Sequence, residues 1–467
     1  MVFTSPLKRI ALSLLLISAT AAAQRHSLPI PPSGVIGFDE AMLSPDYWIA
    51  RAPAPNKVLM MPQQIDALNA KSWAAAPMMR DLSKIDPSLS REQVLAWMKE
   101  AGEPPATPVV DIKGNVVPKA ALDAIQANAA ADRIAVSTPA RYGLSVRRAQ
   151  LRTLPTSVQA FASAQLLDFD RFQGGILLPG EPVVIAHTSA DGQWLLVDTA
   201  TQGAAWVRPT DIAEGAPKDV FAYVGKTPYR VVTGDVVRTV FTPEAPELSE
   251  LLLDMGTRLA LAQLPAGEAV NGQVPYVSWP IELPVRRDDG TLDFKPALVQ
   301  KVKDTESGYL PLTRANIIRQ GFKFLGERYG WGHLYNTRDC SGFTSEVYRS
   351  MGIFLPPNAG AQGRGPFKRR DFSAADSHEA RVKAVMDAQV GDLIVVPGHV
   401  LMMLGKVNGE PYVIQDVPYA VFRDPSGKTR MTKVNGVSVT PLLPLFADEH
   451  NLYVDAMTNL VHVTAAR

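Results

Sequence analysis

A single cysteine in 467 residues constrains this chain more than any other feature. No disulfide within the chain can staple the fold, and no cluster of thiolates can hold a metal. The cysteine stands in the run Gly330-Trp331-Gly332-His333-Leu334-Tyr335-Asn336-Thr337-Arg338-Asp339-Cys340-Ser341-Gly342-Phe343. Beyond it Phe343, Val347, Tyr348 and Met351 recur at helical spacing, and Gly352 follows as a stop. Asp339 occupies the N-cap position, which puts Cys340 in the first turn. A helix N-terminus carries partial positive charge and unpaired N–H groups, and both favour the thiolate, the nucleophilic form. The plain alternative is a small buried apolar residue, the commonest fate of a free cysteine.

A base and an orienting group lie downstream. In Gly391-Asp392-Leu393-Ile394-Val395-Val396-Pro397-Gly398-His399-Val400-Leu401-Met402-Met403-Leu404-Gly405, an apolar strand meets a Pro-Gly turn, a histidine and a second apolar strand. A polar ring at the start of a buried strand is costly without a partner. The next strand, Pro411-Tyr412-Val413-Ile414-Gln415-Asp416, ends on a polar pair, and Gln415 is placed to accept from His399 and fix its tautomer. Nucleophile, base and orienter make the general logic of cysteine and serine acyl transfer. His333, near the cysteine in sequence, is a rival base that a turn would place at the rim.

Composition sets limits. Apolar residues make up 46% and charged residues 20%, as in ordinary globular proteins, and a net charge of +1 gives no reason to expect a nucleic-acid partner. Seven scattered histidines include no metal-binding pair at helical spacing. The first 23 residues read as a secretory signal, with Lys8 and Arg9 before an apolar run and Ala21-Ala22-Ala23 at the cleavage point. That run is too short to span a bilayer. The expectation is a soluble, secreted or periplasmic monomer.

Length argues for several domains in an α+β chain. Residues 24–137 read as mostly helical after a Pro-rich start. From 138 the texture changes to short strands separated by Asp-Gly and Gln-Gly turns. The run Ser189-Ala190-Asp191-Gly192-Gln193-Trp194 and the later Ala205-Trp206-Val207 resemble a bacterial SH3-like barrel over residues 138–214. Residues 215–311 resemble a second SH3-like barrel more weakly. Thr313 then caps a helix bearing Ile317, Ile318, Phe322 and Leu325, which opens a C-terminal α+β domain over 312–467.

The C-terminal motifs, Asp339-Cys340-Ser341-Gly342-Phe343, Gly391-Asp392-Leu393 and Gly398-His399-Val400 with Gln415, resemble the NlpC-type papain-like cysteine peptidases of the cell wall. Tyr329-Gly330-Trp331-Gly332 and Leu355-Pro356-Pro357-Asn358 with Gln362 fit the same pattern. Gln415 is a departure, because that family most often has a histidine there. The resemblance implies a γ-D-glutamyl–diamino acid endopeptidase acting on peptidoglycan-derived peptides without metal or organic cofactor. It implies Cys340 as nucleophile, His399 as base and Gln415 as orienter, with Tyr329 as an oxyanion donor. Trp331, Asp339 and Ser341 would line the substrate pocket. Asp168, Asp170 and Gln173 precede the Gly-Gly turn of the first barrel, and Asp170 there would pair with the free amine of an N-terminal L-Ala. Small turnover peptides would then be better substrates than intact murein. Two other readings stand beside this one: a papain-like acyltransferase or amidase, and a non-catalytic wall-binding protein whose SH3-like parts carry the function.

Overall fold

The computed structural model describes residues 34–464 except 77, 425 and 449. The expected signal lies outside the described residues. Among those described, no helix is long and apolar enough to cross a membrane.

The N-terminal helices Pro45–Ile49, Pro62–Ala75, Arg91–Ala101 and Lys119–Asn128 share no core of their own. Trp48, Met60 and Ile65 join the core around the single cysteine, and the Trp48 ring lies 5.4 Å from Tyr412. Asn69 ties the same segment down, donating to the Gly352 carbonyl at 2.7 Å and accepting from the Phe354 amide at 3.0 Å. Leu82, Leu89, Val94 and Trp97 instead pack under the following sheet with Trp194 and Trp206. Leu122 and Ile125 of the last helix pack on a third cluster with Val109, Val117, Leu154 and Phe172, so this stretch is a strap whose apolar residues complete neighbouring cores.

Residues 141–215 form a seven-stranded antiparallel sheet. Its order is Gln173–Leu177, Ala149–Arg152, Gly203–Val207, Leu195–Thr199, Pro182–Thr188, Arg141–Ser145 and Ile212–Gly215. The first and last of these do not pair with each other, so the expected barrel is a curled sheet rather than a closed one. The segment 144–152 is not one continuous strand but breaks at 146–148. Its halves pair with different partners, and Arg148 turns aside to Asp254 at 2.7 Å.

The second block is no barrel. It holds a three-stranded sheet, a two-stranded sheet and the long hairpin Ser278–Arg286 with Leu292–Gln300. Pro280, Pro284 and Pro296 sit inside that hairpin, and a proline has no N–H to offer a further strand.

The C-terminal domain is built on a six-stranded antiparallel sheet ordered Lys368–Asp371, Asn459–His462, Leu393–Val396, His399–Val407, Glu410–Val417 and Gly436–Pro441. Residues facing one side of it, such as Val400, Met402 and Ile414, pack on Phe343, Val347 and Tyr348 of the helix Cys340–Arg349. Those facing the other side, Leu401, Met403 and Val413, pack against Val385 and Tyr453. Cys340 thus begins a helix pressed against the middle of the sheet.

Candidate active site

Local sequence fixes the start of the nucleophile helix. Asp339 has extended backbone, and one carboxylate oxygen accepts from the Ser341 and Gly342 amides at 3.0 and 2.8 Å and from the Ser341 hydroxyl at 2.9 Å. The other oxygen accepts from the Gly332 amide at 3.0 Å and so holds the preceding loop. Asp339 and Ser341 are therefore engaged in capping. Farther along, Gln362 accepts from the Thr344 hydroxyl at 3.0 Å and donates to the Ser341 carbonyl at 3.1 Å.

The turn Pro397-Gly398 delivers His399 to the first position of its strand, with Gly398 at a φ of +78°. His399 Nε2 lies 2.8 Å from the Gln415 amide oxygen, while the Gln415 amide nitrogen donates to Thr440 Oγ1 at 2.7 Å. The threonine orients the amide and the amide orients the imidazole. Nε2 then carries the hydrogen and Nδ1 keeps its lone pair. Three neighbours are common to that ring and Cys340. The Val400 amide, next along the chain, stabilises the Cys340 thiolate. The Tyr453 ring lies 5.8 Å from the His399 ring and is influenced by Cys340. Asp339, adjacent to Cys340, acts on His399.

Electrostatics corrects one expectation. Burial, and then Asp339, push the Cys340 thiol well up, against the Val400 and Ser341 amides that favour the thiolate. Burial also lowers the His399 pKa, opposed by Gln415 and Asp339. Both effects favour a neutral thiol–imidazole pair in the free protein. The positive helix end is offset by the very carboxylate that caps it.

The remaining expected residues divide. Tyr329 and Trp331 flank the ring of Phe169, at 5.7 and 5.5 Å, so a loop of the SH3-like sheet reaches the site. Asp170 does not serve there. It is fully buried, and its oxygens bond Arg152 at 2.6 Å and the Ala160 and Phe172 amides. Asp168, two residues earlier, is the acid that faces the catalytic domain, 3.2 Å from Arg328 and 3.7 Å from Lys433. His333 is buried rather than at the rim. Its ring packs where a Gly342 side chain would stand, and its Nε2 lies 3.4 Å from Glu346.

Sequence reasoning missed Arg148 altogether and singled out Gln173 only beside the acids of the first barrel, yet both brace the loop from outside. Gln173 donates to the Gly332 carbonyl at 2.8 Å, and Arg148 donates to the His333 and Thr337 carbonyls and to Asn336. Phe169 lay between two acids already singled out, and its aromatic character was the one available signal.

Residues 326–421 match the NlpC/P60 family, and residues 159–208 match an SH3 domain of the SH3b1 type. The chain carries an NlpC/P60 domain. The probable endopeptidases p60 of Listeria seeligeri and Listeria welshimeri are 51% and 49% identical to it over 47 residues. Each match spans 10% of this chain and 9% of the relative's length. An NlpC/P60 endopeptidase from Photobacterium damselae subsp. piscicida shares the fold, with a TM-score of 0.70 over 89% of this chain and 96% of that one at 16% identity. The NlpC/P60 domain here is thus embedded in an architecture that extends to the SH3 domain and the strap.

Proposed function

We propose that this protein is an exported cysteine endopeptidase that cleaves the γ-D-glutamyl–diamino acid bond of peptidoglycan stem peptides, acting as a monomer without metal or organic cofactor. The observation that carries the reading is the oriented imidazole: Gln415 holds Nε2 of His399 at 2.8 Å and leaves Nδ1 free of that bond. A buried glutamine bonded to both a threonine and a histidine ring does little for stability that an apolar pair would not do.

His399 Nδ1 takes the thiol proton as the sulfur attacks the γ-glutamyl carbonyl, because the raised thiol and lowered imidazole disfavour a standing ion pair. The carbonyl π electrons move onto oxygen. The Cys340 N–H, at the first helical position, and Tyr329 are the donors for that oxyanion. The C–N bond then breaks, the imidazolium protonates the leaving amine, and water activated by His399 hydrolyses the thioester. Phe169, Tyr329 and Trp331 wall the cleft, and Asp168 receives the ammonium of a free N-terminal L-Ala. That arrangement favours short peptides over polymeric murein.

The test is hydrolysis of L-Ala-γ-D-Glu-meso-diaminopimelate followed by mass spectrometry, with wild type beside Cys340→Ala. The N-acetylated peptide and intact sacculi are run in parallel. The expected result is release of L-Ala-γ-D-Glu by wild type, a loss of at least about 10³-fold in Cys340→Ala, and little action on the other two substrates. Cleavage of sacculi would keep the peptidase and remove the gating by the SH3 domain. No cleavage by a wild type whose Cys340 is alkylated by iodoacetamide would favour acyl transfer to another acceptor.

A further inference from the structure

The strand that carries Gln415 also carries an acid that the chemistry above leaves unused. Asp416 is fully buried, and neither of its carboxyl oxygens has a hydrogen-bond partner. Alternation along Glu410–Val417 turns it away from the Gln415 side, toward the face where Tyr412 and Ile414 join the core of Cys340 and Phe343. A carboxyl with nothing bonded to either oxygen is costly to bury, most of all when charged. An apolar side chain would fill the place at less cost, so the acid calls for an explanation.

Titratable and charged groups face it from the elements packed around it. Asp339 and Cys340 come from the start of the nucleophile helix, Glu327 and Tyr329 from the segment before the loop, and Arg338 from the residue before the cap. Of its two sheet partners, Gly436–Pro441 brings no charge, and His399–Val407 brings the imidazole of His399, which is bonded to the neighbouring Gln415. Burial first, then Asp339 and Glu327, push the Asp416 carboxyl up to about 9, with Arg338 pulling the other way. Asp416 in turn raises both Cys340 and Tyr329.

We propose that Asp416 is a positioning residue that acts through Cys340: as a neutral acid behind the nucleophile it leaves room for the thiolate, and as a carboxylate it suppresses it. Two anions confined to one poorly solvated site oppose each other's ionisation. Below the Asp416 pKa the acid is uncharged and the thiolate meets only Asp339. Above it a second negative charge appears, and the thiol holds its proton to higher pH. The inference rests on Cys340 as the nucleophile, but its test needs no substrate.

The experiment is the rate of iodoacetamide alkylation of Cys340, the single thiol in the chain, in full-length wild type and Asp416→Asn. Asparagine keeps the shape and cannot ionise. The ratio of variant to wild-type rate is expected to climb about tenfold between about pH 7 and about pH 10, the ratio equivalent to one pKa unit. A ratio that stays flat overturns the proposal. If the variant fails to fold, wild type decides alone. Infrared difference spectra between about pH 8 and about pH 10 must then show a protonated carboxyl band disappearing, above the range of Asp198, Glu327 and Glu410, each at about 7. Alkylation must also lag behind a single thiol titration over that range. A simple thiol titration with no such band overturns the proposal. A climbing ratio in a protein that cleaves no peptide supports the charge coupling and removes only the substrate reading.

Discussion

Two buried groups of ionisable side chains adjoin the nucleophile, and they are built on opposite plans. Arg338, one residue before the cap, is fully buried and meets Glu346 and Glu327 at 2.9 Å and Asp254 at 3.4 Å, and it donates to the Asp235 carbonyl at 2.9 Å. Asp254 also binds Arg148 of the SH3 domain at 2.7 Å, and Arg148 holds the loop before Cys340. Glu346 stays ionised, at about 2, because Arg338 and then His333 overcome a burial that alone would raise it. Cys340 and Asp416 are comparably buried, yet neither has a counter-charge in contact, and burial keeps both protonated. The paired group joins three parts of the chain into one frame. The unpaired group keeps its protons available, which chemistry requires and a frame does not.

The largest effect expected from this contrast lies in the paired group. Arg338→Met removes the one cation shared by three carboxylates and leaves them buried together. Breaking a buried pair from one side costs about 3–5 kcal/mol. Urea unfolding should show a midpoint lowered to match, with a similar loss in Asp254→Asn, because the two share the network. An unchanged midpoint for Arg338→Met would break the comparison, since the charges would then be screened by solvent the structure does not admit.

The next effect lies in the unpaired group and concerns rate rather than stability. Gln415→Leu keeps the volume but frees His399 to turn or change tautomer. A loss of about 10²-fold in kcat is expected, the scale typical of a positioned general base, with KM little changed. Gln415→His should recover much of the loss, because an imidazole there can again accept from Nε2. Loss in KM alone, or no rescue by histidine, would show that Gln415 shapes the pocket and does not orient the base.

This contrast also marks what could be read before the structure. The capped helix, the Pro-Gly turn before His399 and the alternation that brings Gln415 to it are local patterns, each set by neighbours a few residues apart. They were legible for that reason. The frame was not, because its partners are remote: Arg148 reaches His333, and Gln173 reaches Gly332, across more than 150 positions. The two strand-rich blocks were legible as β structure. Their closure was not, because the Arg148 corner and the prolines of the long hairpin act through pairing that a strand list does not contain. The thiol misled for a different reason. A helix N-terminus argues for a thiolate, and the capping carboxylate argues against it at the same position; only the depth of burial decides between them.

The smallest effect separates two acids that the sequence could not rank. Asp168 and Asp170 flank Phe169 in a loop, where no strand alternation assigns their faces, and both are buried but with different partners. Asp170 pairs with Arg152 at 2.6 Å inside the SH3 domain and belongs with Arg338 as part of the frame. Asp168 already shares its charge with Arg328 and Lys433, both half-exposed. An incoming ammonium therefore gains only the difference between its own contact and those it weakens. Partly exposed ion pairs are worth about 0–1 kcal/mol, so Asp168→Asn should raise KM for the free-amine peptide about fivefold or less and leave kcat and the unfolding midpoint nearly unchanged. The preference for that peptide over its N-acetylated form should shrink by the same factor. An undiminished preference would move recognition of the amine to another group at the cleft, and the SH3 domain would then contribute Phe169 as a wall and nothing that reads charge.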